Sequence, residues 1–277
     1  MRAAAVQLNS TDDKQRNLES AERLVRAAAE DGAELIALPE KWNLLGPGEV
    51  LAAGAEPLDG PTIAAARSWA RDLDVHLVAG SIAERAPDGD KPFNTSVLID
   101  ADGEITSVYR KIHMFDVDVG GIAYRESEHE EPGDEIVVAH AGEVAVGMTV
   151  CYDLRFPELY RILAVRGARV IVVPSAFTLH TGKDHWEVLL RARAIENSAF
   201  LVAPDQVGEA PPHYHSYGRS MILDPWGVVM ATAHDQECFV AAELEFAVQD
   251  RIRESLPSLA NRRPGAYAWP EGSEVHA

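Results

Sequence analysis

Cys151, Glu40 and Lys111 are the residues through which this chain could do covalent chemistry. Cys151 ends the apolar run Val144-Ala145-Val146-Gly147-Met148-Thr149-Val150 and precedes a segment headed by Pro157, which puts its thiol at a strand-to-helix turn. Such turns lie at the carboxyl edge of α/β sheets, where sites form. Backbone N–H groups at the turn can face an oxyanion. Position alone also suits a buried core cysteine, which is the commoner case. Glu40 follows Leu35-Ile36-Ala37-Leu38-Pro39, where a carboxylate partly withdrawn from water is a candidate general base. Lys111, in Tyr109-Arg110-Lys111-Ile112-His113, offers an ammonium to an oxyanion. His113 is a second candidate base for Cys151, ranked lower because the adjacent lysine opposes its protonation. Taken singly, such a Glu or Lys is most often solvated. Three reactive types at three strand ends point to one pocket along a sheet edge. Cys238, within Glu237-Cys238-Phe239, reads as an ordinary strand residue.

The elements that must position these groups alternate. Strands are expected at 3–8, 34–38, 76–82, 95–100, 105–109, 144–150, 169–173, 200–203, 220–223, 228–232 and 239–243. Helices are expected at 14–31, 61–72, 157–166 and 185–197. Leu18, Ala21, Leu24, Val25 and Ala28 carry helical spacing, and Gly32 follows as a C-terminal stop. Pro61 suits the first turn of the second helix. Ala101-Asp102-Gly103 signals a hairpin, and Asp224-Pro225-Trp226-Gly227 a turn. Residues 111–135 show no period and read as a long functional loop. The pattern predicts one α/β domain over 1–256, with two sheets and helices outside them, and an extended tail over 257–277.

Composition narrows the function. The chain has 277 residues, 47% of them hydrophobic, and a formal net charge of -19. That charge argues against coating nucleic acid or an anionic membrane. Two cysteines make no disulfide framework and no cysteine-based zinc cluster. His213 and His215, in a Pro-rich stretch, read as solvated and not as metal ligands. No signal peptide or membrane span is discerned, so a cytoplasmic protein is the expectation.

With these segments in hand, the sequence resembles the nitrilase, or carbon–nitrogen hydrolase, superfamily along almost its whole length. The matching pieces are Leu38-Pro39-Glu40, Tyr109-Arg110-Lys111-Ile112-His113, Glu126-Ser127 with Pro132-Gly133-Asp134, and Val150-Cys151-Tyr152-Asp153-Leu154-Arg155-Phe156-Pro157-Glu158. Pro174-Ser175-Ala176-Phe177, His185-Trp186-Glu187, the stretch from Arg191 to Asn197, and Asp224-Pro225-Trp226-Gly227 match as well. The wording is most similar to the Nit branch, which includes deaminated glutathione amidase and ω-amidase.

The resemblance implies a four-layer αββα sandwich pairing into a homodimer. It implies hydrolysis of a small carboxylate-bearing amide with neither metal nor organic cofactor. Cys151 would be the nucleophile, Glu40 the base, Lys111 the oxyanion stabiliser and Glu126 a supporting glutamate. Tyr152, Arg155, His113 and Phe177 are the expected substrate contacts, with Tyr152 offering its backbone N–H. For Arg155 a structural pair with Asp153 or Glu158 weighs more than a substrate carboxylate. Arg191, Arg193 and Glu196 read as salt links on one helix face. Two departures stand out: Gly120-Gly121 where relatives often have Pro-Gly, and Gly218-Arg219-Ser220 where the branch often has Gly-His-Ser. The other readings are an N-carbamoyl hydrolase and an inactive binding module of the same fold.

Overall fold

The computed structural model describes residues 1–86, 91–210 and 214–267. The first half runs β1 (Arg2–Gln7), α1 (Lys14–Glu30), β2 (Leu35–Ala37), α2 (Gly48–Ala53), α3 (Pro61–Leu73), β3 (His76–Val78), β4 (Ile82–Glu84), β5 (Phe93–Ile99), β6 (Ile105–Arg110), β7 (Asp116–Val119) and β8 (Ile122–Arg125). The second runs β9 (Val138–Ala141), β10 (Val144–Met148), α4 (Pro157–Val165), β11 (Val170–Val172), α5 (Leu179–Asn197), β12 (Phe200–Ala203), β13 (Val207–Ala210), β14 (Tyr214–Tyr217), β15 (Met221–Leu223), β16 (Val229–Thr232), β17 (Cys238–Glu243) and α6 (Phe246–Ser255).

A seven-stranded sheet has the order β17-β1-β2-β3-β5-β4, with β6 also on β5. A six-stranded sheet has the order β16-β15-β12-β11-β10-β9. Strands β1, β2 and β3 are parallel, as are β10, β11 and β12, with antiparallel strands outside them. β17 returns from the end of the chain to pair with β1 from Arg2↔Glu243 to Gln7↔Cys238.

Side-chain alternation assigns the layers. Ala3, Ala5, Leu35, Ala37, Val78 and Leu98 face inward and share one core with Val146, Met148, Val170 and Val172 of the second sheet. Ala4, Val6, Ile36, Leu77, Val97 and Ile99 face the other way, onto Leu24 and Val25 of α1 and Ile63 and Trp69 of α3. Leu159 and Leu163 of α4 and Leu190 and Ala194 of α5 cover the outside of the second sheet. The layer order is therefore helices, sheet, sheet, helices, as expected.

Several boundaries differ from expectation. The strand expected over 76–82 is split into β3 and β4 at Gly80, whose φ is +45°. A Cβ there would stand 2.0 Å from the Pro39 carbonyl oxygen, so the backbone approach requires glycine. The span 111–135 is not one irregular loop. It holds the hairpin β7–β8, turned by Gly120 and Gly121 at φ +62° and +79°, and a 3-10 turn over Glu126–Glu128. Two consecutive positive φ values are what a tight two-residue hairpin needs. Helix α5 begins at Leu179, capped by the Thr178 side chain, ahead of the expected 185. Elements α2, β9, β13, β14 and α6 were not anticipated. Of the tail expected over 257–277, Pro264–Ala266 forms a 3-10 turn. Residues 268–277 and His213 lie outside the described residues.

Candidate active site

Glu40, Lys111 and Cys151 follow β2, β6 and β10 and meet at a cavity of about 520 Å³. That volume suits a small organic ligand. The wall includes Lys41, Phe115, Tyr124, Glu126, Glu130, Tyr152, Arg155, Phe177 and Tyr214.

The Cys151 turn is held under constraint. Cys151 has φ +48°, unusual for a residue with a side chain, and its N–H donates to the Pro174 carbonyl at 2.8 Å. Asp153, fully buried, is the clasp. It accepts from Val150 N–H at 2.9 Å, Tyr109 Oη at 2.6 Å and His113 N–H at 3.2 Å. These bonds join β6 of one sheet to the turn after β10 of the other. The Tyr152 N–H, in the first turn of the 3-10 helix over Cys151–Arg155, meets no acceptor among the described residues. It is free to serve an oxyanion.

Behind the thiol lies a buried charge cluster. Lys111, 1% exposed, donates to Glu40 Oε1 at 3.2 Å and to Glu126 Oε2 and Oε1 at 2.6 and 2.8 Å. Glu40 also accepts from Asn94 Nδ2 at 2.8 Å and from the Ala176 N–H at 2.9 Å. Glu126 accepts from the Phe115 N–H at 2.7 Å and from Lys41 Nζ at 3.3 Å. Lys41 reaches on to Glu130 at 2.6 Å. Burial opposes ionisation of Glu126, but Lys111 and Lys41 hold its carboxyl well below the usual range. Burial, with Glu126 beside it, pushes Glu130 up to about 7 against the pull of Lys41. Burial pushes the Cys151 thiol well up, Glu40 adds to this, and Lys111 opposes it. The resting sulfur thus carries its proton and needs a base beside it to become a nucleophile.

The anticipated substrate contacts separate into two groups. Tyr152, Arg155 and Phe177 line the cavity, but His113 does not. The His113 ring bonds Asp153 through Nδ1 at 2.7 Å and stacks on Phe156 at 3.5 Å, so it supports the turn from behind. In this position it braces the turn and does not reach the wall of the cavity, where a substrate contact or an alternative base was expected. For Arg155, the alternative of a structural ion pair is the part the geometry does not show. Arg155 forms no ion pair with Asp153 or Glu158. Its guanidinium lies over the Tyr152 and Phe177 rings at 5.8 and 5.2 Å, with His185 Nδ1 at 3.3 Å. Burial lowers its pKa, the mark of a cation without a carboxylate partner. Arg219, at the second departure, pairs with Asp235 at the surface, away from the cavity.

Lys41, Asn94, Glu130 and Tyr214 escaped the sequence reading. Lys41 adjoins Glu40, and Glu130 lies in an acidic run that spacing alone reads as solvated. Among the described residues, no group of three or more His, Cys, Asp or Glu gathers as a metal site.

A profile of the carbon–nitrogen hydrolases matches residues 2–253. The chain belongs to the carbon–nitrogen hydrolase family. It is 39% identical over 264 residues to a deaminated glutathione amidase of Synechocystis, covering 94% of this chain and 97% of that one. To the omega-amidase NIT2 of Xenopus tropicalis it is 35% identical, covering 98% of each. The crystal structure of Saccharomyces cerevisiae Nit3, a member of branch 10 of the nitrilase superfamily, superposes with a TM-score of 0.85 at 31% identity, over 93% of this chain and 94% of that one. This carbon–nitrogen hydrolase is accordingly an enzyme acting on amide bonds other than peptide bonds.

Proposed function

We propose that the enzyme hydrolyses a small amide that also bears a carboxylate, such as deaminated glutathione or the ω-amide of a 2-oxo acid, through a thioester on Cys151. The observation that carries this is the Arg155 guanidinium, without a carboxylate partner among the described residues, in the wall of the cavity that Cys151, Glu40 and Lys111 share. A buried carboxylate needs such a partner, because its desolvation costs several kcal/mol, and the planar fork suits it. The similarity to deaminated glutathione amidase and omega-amidase supports the same substrate class.

In this reading Glu40 takes the Cys151 proton as sulfur attacks the amide carbon. The carbonyl oxygen becomes an oxyanion facing Lys111 and the Tyr152 N–H, each such donor being worth about 3 kcal/mol. Protonated Glu40 gives its proton to the leaving nitrogen, and ammonia or an amine departs. Glu40 then takes a proton from water, whose hydroxide adds to the thioester. Collapse expels sulfur, which regains the proton, and the acid leaves. Glu126 holds Lys111 in place throughout.

We also propose a homodimer. Val165 on α4, Val188 and Ile195 on α5, and Trp226 and Val228 in the turn beside Ile195 are exposed apolar residues of the outer helices and that turn. Patches of this kind mark interfaces. Among the described residues no helix is long and apolar enough to cross a membrane. A thiol mechanism fits a reducing compartment such as the cytoplasm.

The test is turnover of a panel of ω-amides, deaminated glutathione, N-carbamoyl compounds and nitriles. The acid-amide should exceed its methyl ester in kcat/KM by about 1–3 kcal/mol, and Arg155→Leu should remove the difference. Cys151→Ala should stay folded and inactive, and a thiol reagent should label Cys151 ahead of Cys238. Equal rates on ester and acid, or preference for N-carbamoyl compounds or nitriles, would refute the assignment.

A further inference from the structure

Counting charges in the buried cluster exposes an imbalance. Glu40 and Glu126 both contact Lys111 Nζ, so two carboxylates lean on one ammonium. Two like charges sharing a partner push one of the pair to take a proton. If that carboxyl were Glu40, the base for Cys151 would be lost. The second cation within reach is Lys41. Its ammonium lies 3.3 Å from Glu126 Oε1 and 2.6 Å from Glu130 Oε1, and it is influenced by Glu40 as well.

The backbone adds an independent observation. Lys41 has φ +52°, a left-handed conformation that is unfavourable for a residue with a side chain. Its N–H donates to Ser81 Oγ at 3.1 Å, so the turn is pinned from a neighbouring loop. The strained turn directs the side chain of Lys41 across to the segment that carries Glu126 and Glu130. The residue next to one glutamate of the cluster is thereby fastened to the other. Glu130 is 2% exposed, and its Oε2 has no hydrogen-bond partner among the described residues. Its other oxygen meets Lys41 Nζ at 2.6 Å, so this buried carboxyl holds the far side of the Lys41 ammonium.

We propose that Lys41 is a positioning residue for amide hydrolysis, supplying the second positive charge that lets Glu40 and Glu126 be ionised together, with Glu130 as its anchor. This rests on the reading of Glu40 as the base for Cys151. The charged or titratable groups facing Glu40 are Lys41 after β2, Lys111 after β6, Cys151 after β10, Asp205 after β12 and Tyr214 on β14, with Glu126 after β8 on the far side of Lys111. Lys111 and Lys41 are the cations in that set.

The experiment measures kcat/KM against pH for Lys41→Met, Lys41→Arg and Glu130→Gln. It also measures the pH dependence of Cys151 alkylation by iodoacetamide, which needs no known substrate. Loss of the Lys41 charge should move the acid limb of both profiles to higher pH by about one unit. It should lower kcat at the acid side and leave KM unchanged. Lys41→Arg should restore the limb. Glu130→Gln keeps an acceptor for Lys41 and adds no negative charge, so its limb should stay or move to lower pH. An unmoved limb in Lys41→Met, an effect on KM alone, or a rise of the limb in Glu130→Gln would overturn the proposal. If Lys41→Met does not fold, the directions seen in Glu130→Gln and Lys41→Arg decide. Absence of turnover on every amide would count against the amidase reading, while the alkylation profile would still decide the role of Lys41.

Discussion

Glu130 shows how one side chain can couple folding to pH. Its carboxyl rises from 4.5 to about 7 on burial, so folding takes up a proton between those values. The stability contributed by this group is complete below about 4.5 and is lost as the pH rises through about 7. Glu130→Gln should therefore melt higher than the parent at about pH 8 and lose that advantage at about pH 4.5. Melting curves at the two values check this, and a gap that does not change with pH would reject it. Cys151, Glu40 and Lys111 were legible because each follows a strand, and a strand end fixes where a side chain is delivered. Lys41 and Glu130 were not, since their meeting depends on a positive φ and on a fold between distant loops. Arg155 was legible as a residue, but its lack of a carboxylate partner was not, because that depends on where Asp153 points.

At the scale of elements, glycines decide where chains cross. Gly80 separates β3 from β4 against the Pro39 carbonyl, in the turn that carries Glu40, whereas Gly121 turns β7 into β8 with nothing within 4 Å of its missing Cβ. Gly80→Ala should cost well over about 2 kcal/mol, from collision added to strain, and Gly121→Ala only about 1 kcal/mol. Denaturant midpoints of the two variants distinguish them, and equal losses would contradict the packing argument. The parallel strands were readable from their continuous apolar runs, α1 from its periodicity and α3 from the proline in its first turn. The β7–β8 hairpin was not, because its strands are four residues long and largely exposed; β7 alternates as Asp-Val-Asp-Val, but over too short a run to stand out, and Ile122–Arg125 does not alternate. Helix α6 was missed because one residue of it, Gln249, is buried, and what ties it down is polar: Arg169 Nε donates to Gln249 Oε1 at 2.7 Å.

At the scale of the whole molecule, the apolar face on α4 and α5 carries the expectation of a dimer. Ile195 lies against the turn at Gly227, where a Cβ would come within 2.5 Å of its side chain, so the helix and the turn form one surface. Ile195→Glu should yield a 30.1 kDa particle by light scattering at micromolar concentration, where the parent gives twice that mass. A parent already of single mass would remove the dimer from consideration. The layer order was readable because alternating residues of β1, β2 and β3 face two different cores; which strand neighbours which was not, since short strands pair through backbone groups that all sequences share.

The return of β17 to β1 makes the first strand of the chain wait for the last. During synthesis β1 leaves the ribosome early, with one edge bare until residues 238–243 follow. A bare edge is a template for another chain. Chains ended at residue 237 should accumulate in the insoluble fraction even though every residue lining the cavity is present, whereas chains ended after α6 should remain in the supernatant. Soluble, active 1–237 would show that the edge is protected by other means. On this topology an interrupted message should give no working pocket, because the incomplete copy carries an exposed strand edge prone to aggregation.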